Sequence, residues 1–188
     1  MFHMANGKVI PLSFYRLLFG VLLAISASSQ PIDEYEVKAA FLYNFAKFVE
    51  WPALTFKNSR DPLRICVMGQ NPFGRALVDE IGGKTIAGRP LVYSDVSDAS
   101  RVADCQILFI ASSERKRLPS LFALLPRTGV LTVGETEGFA SQGGIVNLKL
   151  EGGRVRLEID VEAAGQAHLR ISAKVLNLAE IVGARPKP

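Results

Sequence analysis

The stretch Asp33–Pro52, DEYEVKAAFLYNFAKFVEWP, decides how this chain is read. It holds Tyr35, Phe41, Tyr43, Phe45, Phe48 and Trp51, six of the aromatics in a chain with 11 Phe, 4 Tyr and 1 Trp. Asp33 and Glu36 stand at capping-box spacing, which predicts a helix start. At about 100° per residue, Val37, Phe41, Phe45 and Phe48 share one face, widened by Leu42 and Val49. Glu36, Tyr43, Lys47 and Glu50 fall opposite. Pro52 cannot continue a helix and biases Trp51 toward extended backbone, so the predicted stop is near Glu50. A phenylalanine contributes about 1.5–3 kcal/mol on burial, so three on one stripe predict a helix anchored on a sheet. Tyr43 and Trp51 lie off the stripe. They are candidates for a partner-binding edge, since aromatics are common interface anchors; satellite packing is the alternative.

Working outward, residues 1–29 read as a secretory leader. Lys8 and Arg16 supply its positive end, and Leu17–Ile25, LLFGVLLAI, is the apolar stretch. Ala27 and Ser29 satisfy a small-x-small rule and place the cut before Gln30. Nine apolar residues are too few to cross a hydrocarbon layer of ~30 Å as a helix. Residues 30–188 then form the mature protein, read as a single α/β domain. Export places Cys66 and Cys105 in an oxidising compartment.

The chain of 188 residues is 48% hydrophobic and 21% charged, the balance of a globular protein. Its formal charge of +4 includes both leader cations. The mature chain is closer to neutral and has no long basic run, which argues against a nucleic-acid partner. Two cysteines and one mature histidine, His168, cannot fill a four-ligand zinc site without carboxylates, so no metal or other cofactor is expected.

Beyond the helix, Leu63–Met68, LRICVM, reads as a buried parallel strand. GQNPFG follows at Gly69–Gly74, then a helix through Ala76, Leu77 and Ile81 that stops at Gly82-Gly83. Arg89–Val96, Cys105–Ala111 and Val130–Val133 read as further strands, with a helical turn at Ala99–Ala103. Ser112 or Ser113 is expected to cap a turn, and Pro119 to open a helix reaching Leu125. Ile145–Leu150 and Val155–Ile159 flank Glu151-Gly152-Gly153-Arg154, a hairpin signal. From Val161 to Val182 the apolar residues fall on one helical arc that includes His168, read as a core histidine. The alternative is an extended break at Leu169–Ile171 with Ser172 capping a second helix. The order predicts a three-layer α/β/α domain, its sheet mostly parallel with one C-terminal antiparallel hairpin.

Gly69–Gly74 has the setting of a phosphate loop but not its chemistry. Arg75 and Ala76 stand where Lys and Ser or Thr are needed, and Asn71 stands where a dinucleotide loop needs Gly. Gly82-Gly83-Lys84-Thr85 fails likewise, with Val78 at the first glycine position. Loops at the carboxyl ends of parallel strands still form a crevice, and Asn71, Phe73, Ser112, Ser113 and Glu135 are the candidates to line a small-ligand site there. Arg170, on the expected outer face of the last helix, joins Tyr43 and Trp51 as a partner-binding candidate. No catalytic triad or carboxylate pair is identifiable, so no enzyme is expected. Cys66 and Cys105 sit early in two strand runs, and neighbouring strands could bring them within disulfide reach; two buried thiols are the alternative.

Several blocks taken together, AAFLYNFAKFVEWP, RICVMGQNPFG, CQILFIASSE, VLTVGETEGFASQGGIVN, VRLEID and LRISAKVLNLAEIV, resemble the YfiR-like family of bacterial periplasmic proteins. The resemblance spans about residues 34–182. It implies helices around a mostly parallel sheet and a non-enzymatic role. Its best-known members bind the periplasmic sensor region of an inner-membrane diguanylate cyclase and hold it inactive, which lowers cyclic-di-GMP and biofilm formation. An outer-membrane, peptidoglycan-associated lipoprotein relieves that repression. Cys66 and Cys105 match a family cysteine pair. Some members have a second pair near the GGIVN block, where this chain has Ala140 and Asn147. The family often has Gly where His168 stands. Related domains accompany sensor kinases, so a small-ligand-binding sensory protein is the rival expectation, and a homodimer is compatible with either.

Overall fold

The computed structural model describes residues 33–126 and 128–183; the leader expected over 1–29 lies outside them. The first helix, α1 (Glu34–Phe48), begins where Asp33 accepts a hydrogen bond from the Tyr35 amide. It ends two residues before the expected stop, because Val49–Glu50 is already extended as β1. Its buried face is Lys38, Ala39, Leu42, Phe45, Ala46 and Val49. The expected stripe is therefore rotated: Val37, Phe41 and Phe48 sit at its flank, half-buried. Ala39 and Ala46 let the helix backbone approach the sheet closely, Leu42 and Phe45 fill the space between them, and Phe41 and Phe48 pack to the side.

The strands follow the apolar runs. β2 (Leu63–Met68), α2 (Ala76–Ile81), β3 (Thr85–Ile86) and β4 (Arg89–Val96) come first. A 3-10 turn at Ala99–Asp104 leads to β5 (Ile107–Ile110), and another at Ser112–Arg117 leads to α3 (Leu118–Leu124). Next come β6 (Leu131–Gly134), β7 (Val146–Glu151), β8 (Arg154–Asp160), α4 (Val161–Gln166), β9 (Arg170–Ile171), α5 (Ala173–Leu176) and β10 (Ala179–Val182). The main sheet has the order β10-β8-β7-β6-β5-β2-β4-β3. Pairing is parallel from β4 through β7, antiparallel in the β7–β8 hairpin, and parallel again between β8 and β10. Gly152 and Gly153 make the hairpin turn with φ of 57° and 74°, a left-handed pair that glycine adopts without steric cost.

Two apolar layers flank the sheet. On one side Ile65, Val67, Phe109, Val133, Leu148 and Ile159 meet α1. On the other, Cys66, Met68, Leu108 and Ile110 meet Val102, Leu118, Leu121 and Phe139. This is the α/β architecture expected. The second layer lies over β2, β4 and β5. Beyond it, the outer face of β7, β8 and β10 is polar: Lys149 pairs with Glu158 at 2.8 Å and Glu180 at 3.4 Å. Lys149 and Asn147 hydrogen bonds hold the Glu158 carboxyl below its usual pKa, against the opposing and largest effect of burial. Cys66 and Cys105 are bonded, with their Cα atoms 5.9 Å apart. Cys105 lies at the end of the 3-10 turn, ahead of β5, since Cys66 itself registers with Leu108.

The last segment is not one helical arc. α4 ends in a left-handed residue, His168, with φ of 56°. The His168 amide donates to the Gly165 carbonyl and the Leu169 amide to the Ala164 carbonyl, both at 2.9 Å. That is a Schellman cap, and Leu169 is the buried residue that accompanies it. His168 is thus exposed and not in the core. The chain then pairs β9 antiparallel with β1, matching Val49 to Ile171 and Glu50 to Arg170. Ser172 caps α5 by accepting from the Lys174 amide, as the alternative reading had it. β10 was hidden inside the helical arc.

Candidate functional site

The five strand-end candidates do not converge on one site. Asn71 and Ser113 meet in an open cleft of 690 Å³ beside Gln70, Asp95, Ser97 and Arg117. Asn71 accepts from the Phe73 amide and donates to the Tyr93 hydroxyl, each at 2.8 Å. Tyr93 in turn donates to Asp95. Burial, then the Asp95 hydrogen bond and charge, push the Tyr93 phenol well above its ordinary pKa. Ser113 accepts from the Gln70 amide at 2.9 Å, so it ties two loops rather than capping the turn that follows β5. Phe73 lies in the core, edge-on to Tyr35 and Phe109, and does not line the cleft. An aromatic after a turn is drawn in when it can fill space beside another ring.

Ser112 and Glu135 form a second cluster. The Ser112 amide donates to Glu135 Oε1 at 3.1 Å, and Lys38 Nζ donates to Glu135 Oε2 at 2.7 Å. The side chains of Lys38 and Glu135 are 2% and 4% exposed. Burial works against the Lys38 ammonium, but the hydrogen bonds and charges of Glu135 and Glu34 outweigh it and raise its pKa. The Tyr35 ring covers the ammonium at 4.8 Å. Every member is spoken for by another, which makes this a structural joint between α1 and two strand-end loops. Among the described residues no group of three His, Cys, Asp or Glu is placed to hold a metal ion.

The partner candidates also separate. Trp51 donates its indole N–H to the Gln106 carbonyl at 3.1 Å and packs on the core. Arg170 lies on β9, not on a helix, where it is exposed and 3.2 Å from Glu50. Tyr43 lies under Lys84, whose ammonium is 4.1 Å from the ring centroid. Trp51 directly follows the β1–β9 ribbon that carries Arg170, and Tyr43 faces the β3 hairpin side.

An apolar groove that the sequence reading missed runs between α1 and α5. Phe41, Phe45, Phe48, Leu157, Val175 and Leu178 line it. The helical stripe places Phe41 and Phe48 in the core, whereas the fold leaves both only half-buried. The signal available was LNLAEIV, where Leu178 follows Asn177 at a point where a helix and a strand compete.

The sequence profile of the YfiR/HmsC-like family matches residues 35–180. The chain belongs to the YfiR/HmsC-like family. This is a family of periplasmic regulators. The matched span runs from the first turn of α1 into β10, so the core joint, the disulfide and the groove all lie within the YfiR/HmsC-like region. The comparison with curated proteins returned no match. Among solved structures, this chain is similar to a conserved domain protein from Vibrio cholerae O1 biovar El Tor, at 15% identity and a TM-score of 0.48, over 64% of this chain and 54% of that one. It is also similar to an ABC domain in complex with L-Trp from Streptococcus pneumoniae, at 9% identity and a TM-score of 0.44, over 64% of this chain and 55% of that one. The chain therefore spans about half the length of each of these structures. No described helix is long and apolar enough to cross a membrane.

Proposed function

We propose that this YfiR/HmsC-like protein is exported through a cleaved leader and represses an inner-membrane diguanylate cyclase by binding its periplasmic sensor region. The family match over residues 35–180 carries this reading. The exposed apolar groove beside α1 supports it, since a repressor without chemistry must act by binding one state of its target better than another. Holding a cyclase about 99% inactive from an even balance needs roughly 100-fold preference, or about 2.7 kcal/mol. A small interface with one or two apolar anchors supplies that much. An outer-membrane, peptidoglycan-associated lipoprotein is the proposed antagonist, relieving repression by competing for the same protein.

The test is genetic and biochemical together. Deleting the gene should raise cyclic-di-GMP and biofilm formation, and the mature domain supplied to the periplasm should reverse both. Tagged mature protein should recover a cyclase from solubilised membranes. Unchanged cyclic-di-GMP with no cyclase recovered would overturn the repressor reading. The polar cleft at Asn71 and Ser113 would then be the surface to screen with small anions and amino acids.

A further inference from the structure

The flank of α1 that carries Phe41 and Phe48 is covered only in part. α5 and Leu178, just ahead of β10, close one side, leaving a groove of 250 Å³. Leu178 stands 71% exposed at its wall, and Ile181 is 44% exposed. β10 is the terminal strand of the main sheet, so its outer edge has no strand partner among the described residues. The register Ile181↔Ile159 puts Ile181 on the sheet face that looks toward α1. A free edge next to an apolar groove suits an extended segment. Its backbone can pair with β10, and alternate side chains can turn toward the groove.

Charge narrows the occupant. Lys47 Nζ lies 5.3 Å and Lys174 Nζ 5.6 Å from the Phe48 ring centroid. Among the described residues neither ammonium has a carboxylate at ion-pair distance, while the acids close to them in sequence, Glu50 and Glu180, are paired with Arg170 and Lys149. Lys174 lines the groove and Lys47 lies beside its Phe48 wall, so the two cations favour a carboxylate and repel a basic segment. A second copy of this chain fits less well. Symmetric pairing of two β10 edges would bring the same lysines of both copies to one interface.

We infer that the α1–α5 groove and the β10 edge together dock an extended segment of a partner protein, one that alternates in apolar residues and carries Asp or Glu where it passes Lys47 and Lys174. The inference takes from the proposed function only that the partner is a protein.

The experiment has two arms on the full mature protein. In the first, a random linear-peptide library is panned on the wild type and on Lys47→Glu/Lys174→Glu. The wild type should enrich peptides with alternating apolar residues and an acidic group. The charge-reversed protein should bind them roughly ten-fold or more weakly and select basic peptides instead. Leu178→Asp should also lose binding about ten-fold or more through the lost apolar contact, and raised salt should weaken what remains. These residues are exposed, so circular dichroism and melting should stay near native. Selection of peptides with no acidic preference, or binding indifferent to all three changes, would overturn the inference, as would concentration-dependent dimerisation abolished by Leu178→Asp. In the second arm, the same variants are used to recover the cyclase. Recovery by the wild type and the charge-reversed protein alike sinks the groove assignment and leaves the repressor reading standing. Peptide selection without any cyclase recovery does the reverse.

Discussion

Lys38 and Glu135 are 97 residues apart in the chain and 2.7 Å apart in the fold. The pair joins the face of α1 to the loop that leaves β6, and through the Ser112 amide to the loop that leaves β5. Lys38 also pairs with Glu34 one turn earlier on α1. A lysine at the centre of a helix's buried face is tolerated because two carboxylates and an aromatic ring replace its water.

Breaking this joint should therefore be costly and asymmetric. Lys38→Met removes the cation and leaves Glu135 buried, and should lower stability by about 3 kcal/mol in urea unfolding. Glu135→Gln leaves Lys38 with Glu34 and keeps an acceptor for Ser112, so its loss should be smaller, about 1–2 kcal/mol. The folded-state pKa of Lys38 is raised, so the pair's contribution is present below the ordinary lysine pKa. It is lost as pH rises through the folded value. The wild type should lose melting temperature at strongly alkaline pH, and Lys38→Met should show less of that loss. Equal alkaline slopes in both proteins would contradict the assignment.

The Cys66–Cys105 bond closes a loop with a sequence separation of 39. In the chain-entropy model such a closure contributes about 3–4 kcal/mol. Both cysteines are buried, so native protein should resist alkylation until it is both unfolded and reduced. Replacing both by Ser should lower stability by about that amount and keep the far-ultraviolet dichroism, because the sheet core on either side is unchanged. Thiols labelled in denaturant without reductant would rule the bond out.

His168 holds the left-handed position of the α4 cap. A side chain there is strained, and glycine is not. His168→Gly should raise stability by about 0.5–1 kcal/mol, and His168→Val should lower it by about 1–2 kcal/mol. Both follow from thermal melts, and neither should alter partner recovery, since the residue lies outside the groove.

Phe139 is fully buried, and a Cβ built on Gly134 or on Gly144 would run into its ring. Neither clash is against a flexible side-chain end. Gly134→Ala and Gly144→Ala should each cost about 1–3 kcal/mol by overpacking. Phe139→Leu should partly rescue either one, and a double-mutant cycle measures the coupling. Additive losses would mean that the ring is not what excludes the methyl group.

Much of the fold was written locally. LRICVM, RPLVYSDV and the EGGR turn specify strands and a hairpin through apolar runs and two left-handed glycines, information carried within a few residues. Asp33 and Pro52 likewise bracket α1. What the linear pattern could not set was which groups meet. Burying Lys38 takes Glu135, brought to it from 97 residues away, as well as the local Glu34. The buried line of α1 runs through Ala39, Leu42, Phe45 and Ala46 and leaves Phe41 and Phe48 at its flank, and this depends on the surface opposite. The helical arc from Val161 was broken by the Schellman cap at His168 and by two strand pairings, β9 with β1 and β10 with β8. Periodicity within one segment carries no information about a partner strand's register. For the same reason Asn71 and Ser113 parted from Ser112 and Glu135, and the groove at Phe41 and Leu178 exists only where separate elements stop short of covering one another.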